Sequence, residues 1–188
     1  GGNLVWVGHP DSLGDGIASN DSVLTSRINT LGNFECNGES INDITGIEDF
    51  TSLTYLWVMN NNLSSIDLSN LTMLQDFNCN ENNIQNLDLN SNVSIQILRC
   101  SQNQLTHLDV SQNNLLTILT CYDNSISALD VSHLSSLSEF QCQDNSLISL
   151  DIRNGNNINI ALVVAGGNAN LNCISVDDQT WGNLFYWN

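Results

Sequence analysis

Apolar positions along this chain follow neither the 3.6-residue step of an amphipathic helix nor the sustained alternation of a long strand. They recur in a longer cycle. The segments CNENNIQNLDL from Cys79, CSQNQLTHLDV from Cys100, CYDNSISALDV from Cys121 and CQDNSLISLDI from Cys142 each begin 21 residues after the last. A copy with valine for cysteine, VMNNNLSSIDL from Val58, keeps the same step, and a degenerate one, CNGESINDITG from Cys36, stands 22 residues before it. Ahead of the cysteine column run apolar pairs three apart: Leu53 and Leu56, Leu74 and Phe77, Ile95 and Leu98, Leu116 and Leu119, Leu137 and Phe140. The full unit is L-x-x-L-x-C-x-x-N-x-L-x-x-L-D-L. It predicts one short strand per unit, in which Phe77 and Cys79 turn inward while Asp76, Asn78 and Asn80 turn out, because side chains alternate along a strand. A cycle of this length specifies a stack of repeat units, each burying its apolar edge against the next.

The unit resembles the 21-residue leucine-rich repeats of secreted and surface proteins of the Bacteroidetes, over roughly residues 29 to 178. The resemblance implies a mainly β chain of the α/β-solenoid class. It would be a solenoid with a parallel concave sheet of about seven short strands, turns and extended segments opposite, and few or no true helices. Residues 1–28 lie outside the repeat and are expected to cap the first core face, with Pro10, Asp11 and the Gly14–Asp15–Gly16 turn matching the family's cap and the helix between them largely missing. Residues 154–178 keep the strand IALVV, exchange the asparagine column for Gly166, and resemble the family's closing unit. Residues 179–188, QTWGNLFYWN, are expected either to seal the far end or to lead into a further domain.

Charge narrows the partners. The 188 residues include 20 acids, three arginines and no lysine, for a net charge of −17. Such a field repels phosphate backbones and anionic lipid, so nucleic acid and membrane insertion are excluded as expectations. No run of about 18 apolar residues is present to span a bilayer, and without an initiating Met or a signal-like start the chain reads as a mature product or an excised fragment. Resemblance and acidity together point to an extracellular or cell-surface location.

Three columns have structural readings. Cys79, Cys100, Cys121 and Cys142 take an inward position where the consensus has leucine, and read as free buried thiols that pack as small hydrophobes. Parallel neighbours in a ladder seldom offer the torsion of a disulfide. Asn61, Asn82, Asn103, Asn124 and Asn145 leave each strand at a turn, where an amide can satisfy backbone groups that stacking buries. Asp67, Asp88, Asp109, Asp130 and Asp151 form a column across the coil. Either each carboxylate caps a turn by accepting N–H groups two residues on, or the stacked column holds calcium. One Asp per coil is few for a calcium shell of about 6 to 8 oxygens, which favours capping. No other cofactor is implied.

The outward side chains of the sheet are the expected binding face: Tyr55, Trp57 and Met59; Asp76, Asn78 and Asn80; Ile97, Arg99 and Ser101; Ile118, Thr120 and Tyr122; Glu139, Gln141 and Gln143; and Ile160, Leu162 and Val164. Two groups stand out, the aromatic and Met cluster at residues 55 to 59 and an amphipathic patch of Ile97, Arg99, Ile118 and Tyr122. Coverage by the cap or by a neighbouring domain is the competing explanation for both. The leading function is a binding or adhesion module for protein or glycan ligands. The alternative is a spacer or assembly subunit whose solenoid ends, with Leu184, Phe185, Tyr186 and Trp187 at one of them, contact neighbouring domains or subunits. An enzyme is the weakest class, since His9, His107 and His133 are scattered and compose no nucleophile–base pair, and Thr120 has no threonine stack of the kind ice binding uses. Two triplets, Asp11-Ser12-Leu13 and Asp21-Ser22-Val23, resemble a bacterial O-glycosylation motif, while sequons at Asn20, Asn62, Asn70 and Asn92 are expected in so Asn-rich a chain.

Overall fold

A computed structural model describes residues 28–178. The expected N-terminal cap, its two Asp-Ser triplets and the aromatic tail lie outside the described residues, apart from Ile28, which is buried. Nine three-residue strands follow one another: β1 Asn33–Glu35, β2 Tyr55–Trp57, β3 Asp76–Asn78, β4 Ile97–Arg99, β5 Ile118–Thr120, β6 Glu139–Gln141, β7 Ser149–Asp151, β8 Leu162–Val164 and β9 Cys173–Ser175. Two 3-10 turns, Ile47–Asp49 and Asn157–Asn159, lie in the connections between strands.

The concave sheet has seven parallel strands in the order β1, β2, β3, β4, β5, β6, β8. From β2 to β6 the register advances one sequence period per strand, with Leu56 beside Phe77, Leu98, Leu119 and Phe140 in turn. On the opposite side β7 pairs in parallel with β9, and Asp130 bridges to Asp151. The sheet and the convex wall enclose one continuous core, in which Leu53, Leu56, Leu74, Phe77, Ile95, Leu98, Leu116, Leu119, Leu137 and Phe140 are all fully buried.

The cysteine column runs through that core as Cys36, Val58, Cys79, Cys100, Cys121 and Cys142, and ends at Ala165. None of these thiols is bridged. Burial pushes Cys79 and Cys121 up to about 12 and Cys36 to about 11, and holds Cys100 and Cys142 well above the ordinary thiol value, because a thiolate in an apolar interior has lost its water. Cys173 lies exposed on β9.

The asparagines knit the coils together. Asn103 Nδ2 donates back to the Cys79 carbonyl of the preceding coil at 2.9 Å and to Ser101 and Cys100 of its own at 3.1 and 3.3 Å. Its Oδ1 accepts the Ile84 N–H at 2.9 Å. Asn82 repeats this arrangement one coil before, and Asn124 and Asn145 repeat it one and two coils after. Asn61 differs only in accepting two N–H groups, from Glu39 and Ile41. The residue ahead of each asparagine is left-handed, with φ of 54° to 57° at Asn60, Glu81, Gln102, Asp123 and Asp144. This conformation swings the chain out of the strand and turns the next side chain inward.

The last coil corrects two expectations. The asparagine column is not lost at Gly166: Asn168 donates to the Cys142 carbonyl at 3.0 Å and accepts from Leu147 N at 3.0 Å. Two extra residues, taken up around the Asn157–Asn159 turn, place Val163 beside Phe140 and so carry the column past its expected position. Gly167 holds the left-handed place at φ 68°, where an added Cβ would lie 2.0 Å from Asp144 Oδ1. Ile160 is likewise not on the concave face. It sits two residues before the strand, as Leu137 does, and is buried in the core.

A second amide ladder lies on the descending side of the coil, where Asn92 and Asn113 replace the buried Leu71 and Leu134 of the flanking units. Asn92 Nδ2 donates to the carbonyls of Leu68 and Leu71 at 2.9 Å, and Asn113 Nδ2 to Asn92 at 2.9 Å and Leu89 at 3.3 Å.

Removing the amide of Asn82 strands the Leu63 N–H inside the stack and takes one of two side-chain amide donors from each of the Val58 and Cys79 carbonyls, which keep Asn61 and Asn103. Asn82→Ala is therefore expected to cost about 2–3 kcal/mol, read as a lower urea midpoint with the slope unchanged. For the thiols, the native protein at pH 8 should show one fast-reacting group toward a disulfide reagent, Cys173, and six after denaturation.

Candidate binding face

The concave face is organised by three columns of outward side chains, one from each end and one from the middle of the strands' exposed edge. Tyr55 and Trp57 stand on β2 as an offset stack, with ring centroids 4.6 Å apart and planes 27° from parallel. Asp76 on β3 accepts both the Trp57 indole N–H and the Arg99 guanidinium at 3.0 Å. Arg99 reaches from β4 across β3 to lie 5.8 Å from the Trp57 ring centroid. The aromatic cluster and the amphipathic patch read separately from sequence therefore meet in one network, with Asp76 as its hinge. Sequence spacing does not show this, because the contact depends on a long side chain spanning two strands.

The network explains which of the expected face residues are open. Asn78 lies under the path of Arg99 and is buried, its amide against the Met59 sulfur at 3.6 Å and its oxygen accepting the Asn80 N–H. It supports the face from beneath. Ser101 and Thr120 are buried as well, with Ser101 Oγ accepting the Tyr122 N–H. Tyr55, Trp57, Met59, Asp76, Ile97, Arg99, Ile118, Tyr122 and Glu139 are all half-buried, held by neighbours yet reachable. Burial first, and then the carboxylates of Glu35 and Asp76, push the Tyr55 phenol up to about 12, so it remains a hydrogen-bond donor at any physiological pH.

Glu35 was not among the candidates read from sequence. It is exposed on β1 and stands directly beside Trp57 in the sheet, with the Asn37 amide donating to it at 2.7 Å. The signal was the Cys36 copy, whose preceding residues align with β2 once the 22-residue step is applied.

On the convex side the aspartates cap turns. Asp67, Asp88, Asp109, Asp130 and Asp151 accept the N–H groups of Ser69, Asn90, Ser111, Ser132 and Arg153, at 2.9 to 3.1 Å. Among the described residues no group of three or more His, Cys, Asp or Glu is placed to hold a metal ion. Asp109, Asp130 and Asp151 line a groove of about 410 Å³ together with His107 and His133. His133 Nε2 lies 3.0 Å from the Val110 carbonyl, a structural contact.

A coil-by-coil stack with a parallel concave sheet, an asparagine ladder and an aspartate-capped convex side is a leucine-rich-repeat solenoid. No family profile and no curated protein sequence matches the chain. Solved structures do. The functional domain of InlJ from Listeria monocytogenes, which includes a cysteine ladder, superposes with a TM-score of 0.68 at 28% identity, over 87% of this chain and 35% of that one. A leucine-rich-repeat protein of Leptospira interrogans gives 0.66 at 16% identity over 87% of this chain and 46% of its own. The leucine-rich repeat domain of APL1B gives 0.59 at 16% identity over 88% and 58%. The two at 16% identity carry the fold alone. This chain spans less than two thirds of each. Among its described residues no helix is long and apolar enough to cross a membrane.

The carboxylates of Asp67, Asp109 and Asp130 are held below their ordinary value by the Ser N–H and hydroxyl groups they accept, and Asp151 falls to about 2 through the Arg153 side chain. A depressed folded value contributes stability above the unfolded value of about 3.9, and that stability is lost as pH falls through the folded one. The melting temperature should therefore decline from pH 5 toward pH 2. Asp130→Asn, which keeps an acceptor for Ser132 but no titrating group, should flatten that decline.

Proposed function

We propose that this chain is a non-catalytic binding module of a secreted or cell-surface bacterial protein and that it engages protein or glycan ligands on the concave sheet. The observation that carries the reading is the fixed position of Trp57. Its ring is stacked on Tyr55, its N–H is tied to Asp76 and its other flank is shared with Arg99. A half-exposed tryptophan locked in this way loses little side-chain entropy on binding, and large pre-positioned aromatics with arginine are the groups that dominate recognition energies. Alternate residues of three-residue strands on a rigid stack repeat this display across the face, from Met59 to Tyr122 and Glu139. The similarity to the functional domain of InlJ from Listeria monocytogenes, at 28% identity, supports a bacterial context.

The test is a panel of immobilised surface proteins and glycans probed with the full chain. Binding to a hit should weaken about 30-fold or more in Trp57→Ser, the loss of a hot-spot side chain, and less in Tyr122→Ser, with circular dichroism unchanged in both. Full retention of binding in the two variants would remove the concave face as the site.

A further inference from the structure

The charges on the concave face are unequal in kind. Among the described residues the cations of Lys and Arg type are Arg99 and Arg153, and each is already ion-paired, with Asp76 and with Asp151. A carboxylate, phosphate or sulfate approaching the face therefore meets no uncommitted Lys or Arg cation from the described residues. It also meets the field of a chain carrying −17.

The face shows what it accepts through its own Arg99. That guanidinium lies against Trp57 with its charge met by Asp76, an arrangement in which an aromatic ring and a carboxylate together take a cation from water. The opposite flank of the aromatic pair repeats the acceptor half of this arrangement without a cation from the described residues. Glu35 stands beside Trp57 in register, is exposed, and its charge is felt at the Tyr55 phenol.

We propose that the concave face binds a cationic protein segment, with an arginine or lysine head group seated against the Tyr55–Trp57 pair beside Glu35, on the flank opposite Arg99. The proposal rests on the concave-face reading above and names the chemistry of its partner. Guanidinium suits the place better than ammonium, because a planar, weakly hydrated ion can stack on a ring while bonding a carboxylate in its own plane. Glu139 extends the negative potential along the same face for further basic residues of the segment.

The experiment uses the full chain and three labelled eight-residue peptides of one pattern, alternating Gly or Ser with arginine, with the neutral isostere citrulline, or with glutamate, followed by fluorescence anisotropy at low salt. The arginine peptide should bind at least about 10-fold more tightly than either of the others, and Glu35→Gln and Tyr55→Leu should each weaken it about 5-fold. Asp49→Asn, an exposed acid in the Ile47–Asp49 turn away from the face, should leave it unchanged. Absence of binding by the arginine peptide, equal binding by the citrulline peptide, or an equal loss with Asp49→Asn would overturn the cationic partner. The concave-face reading is separated from it by Trp57→Ser. If that variant loses binding to a panel ligand while charge makes no difference, only the inference fails; if it loses nothing, both fail.

Discussion

Every turn of this solenoid buries backbone that has no helix or long ladder to pair with, and the asparagine amide is what makes that burial tolerable. One side chain with two donors and an acceptor closes its own turn and bonds the coil behind it, as Asn103 does with Ser101, Cys79 and Ile84. An aspartate could not donate, and a leucine could do neither. Because a buried unpaired peptide group costs on the order of 1–3 kcal/mol, a column of six such amides from Asn61 to Asn168 decides where the chain can turn, and the strands follow. The left-handed residue ahead of each amide is the local strain that this bonding holds in place.

From that constraint comes the division of labour across the coil. Residues before the amide belong to the strand and alternate between core and concave face. Residues after it run back along the convex wall, where the aspartates finish the next turn. The cysteines fit this scheme as space-fillers: a small side chain at the last inward position of each strand leaves room for the amide that follows three residues later, and its thiol stays protonated in the dry interior. Only the outward positions of the strands are free of both duties, and there the sequence ceases to repeat. Trp57, Asn78, Arg99, Thr120 and Gln141 share one column and have no chemical likeness.

The repeat was legible because five consecutive units share one period, so each column could be read down the sequence and its role taken from its residue type. Legibility failed where the period changed or a column was mixed. Asn168 was missed because two inserted residues shift it, and Asn92 and Asn113 were hidden because Leu71 and Leu134 occupy the same place in flanking coils. The Trp57–Asp76–Arg99 network was beyond reading for another reason: its members were all on the candidate face, but which way a tryptophan leans and how far an arginine reaches are settled by side-chain torsions, not by spacing.

The uniform register between β2 and β6 also has a genetic meaning. Since each coil bonds only to the one before and the one after, and all present the same partners, excising or duplicating a 21-residue block would rejoin equivalent surfaces, Asn82 meeting the carbonyls that Asn61 or Asn103 meets now. Unequal recombination within the gene can thus lengthen or shorten the array while reshuffling which side chains stand next to one another on the sheet. The two-residue irregularity ahead of β8 breaks that equivalence, so the final coil is the one piece that such exchange cannot readily copy.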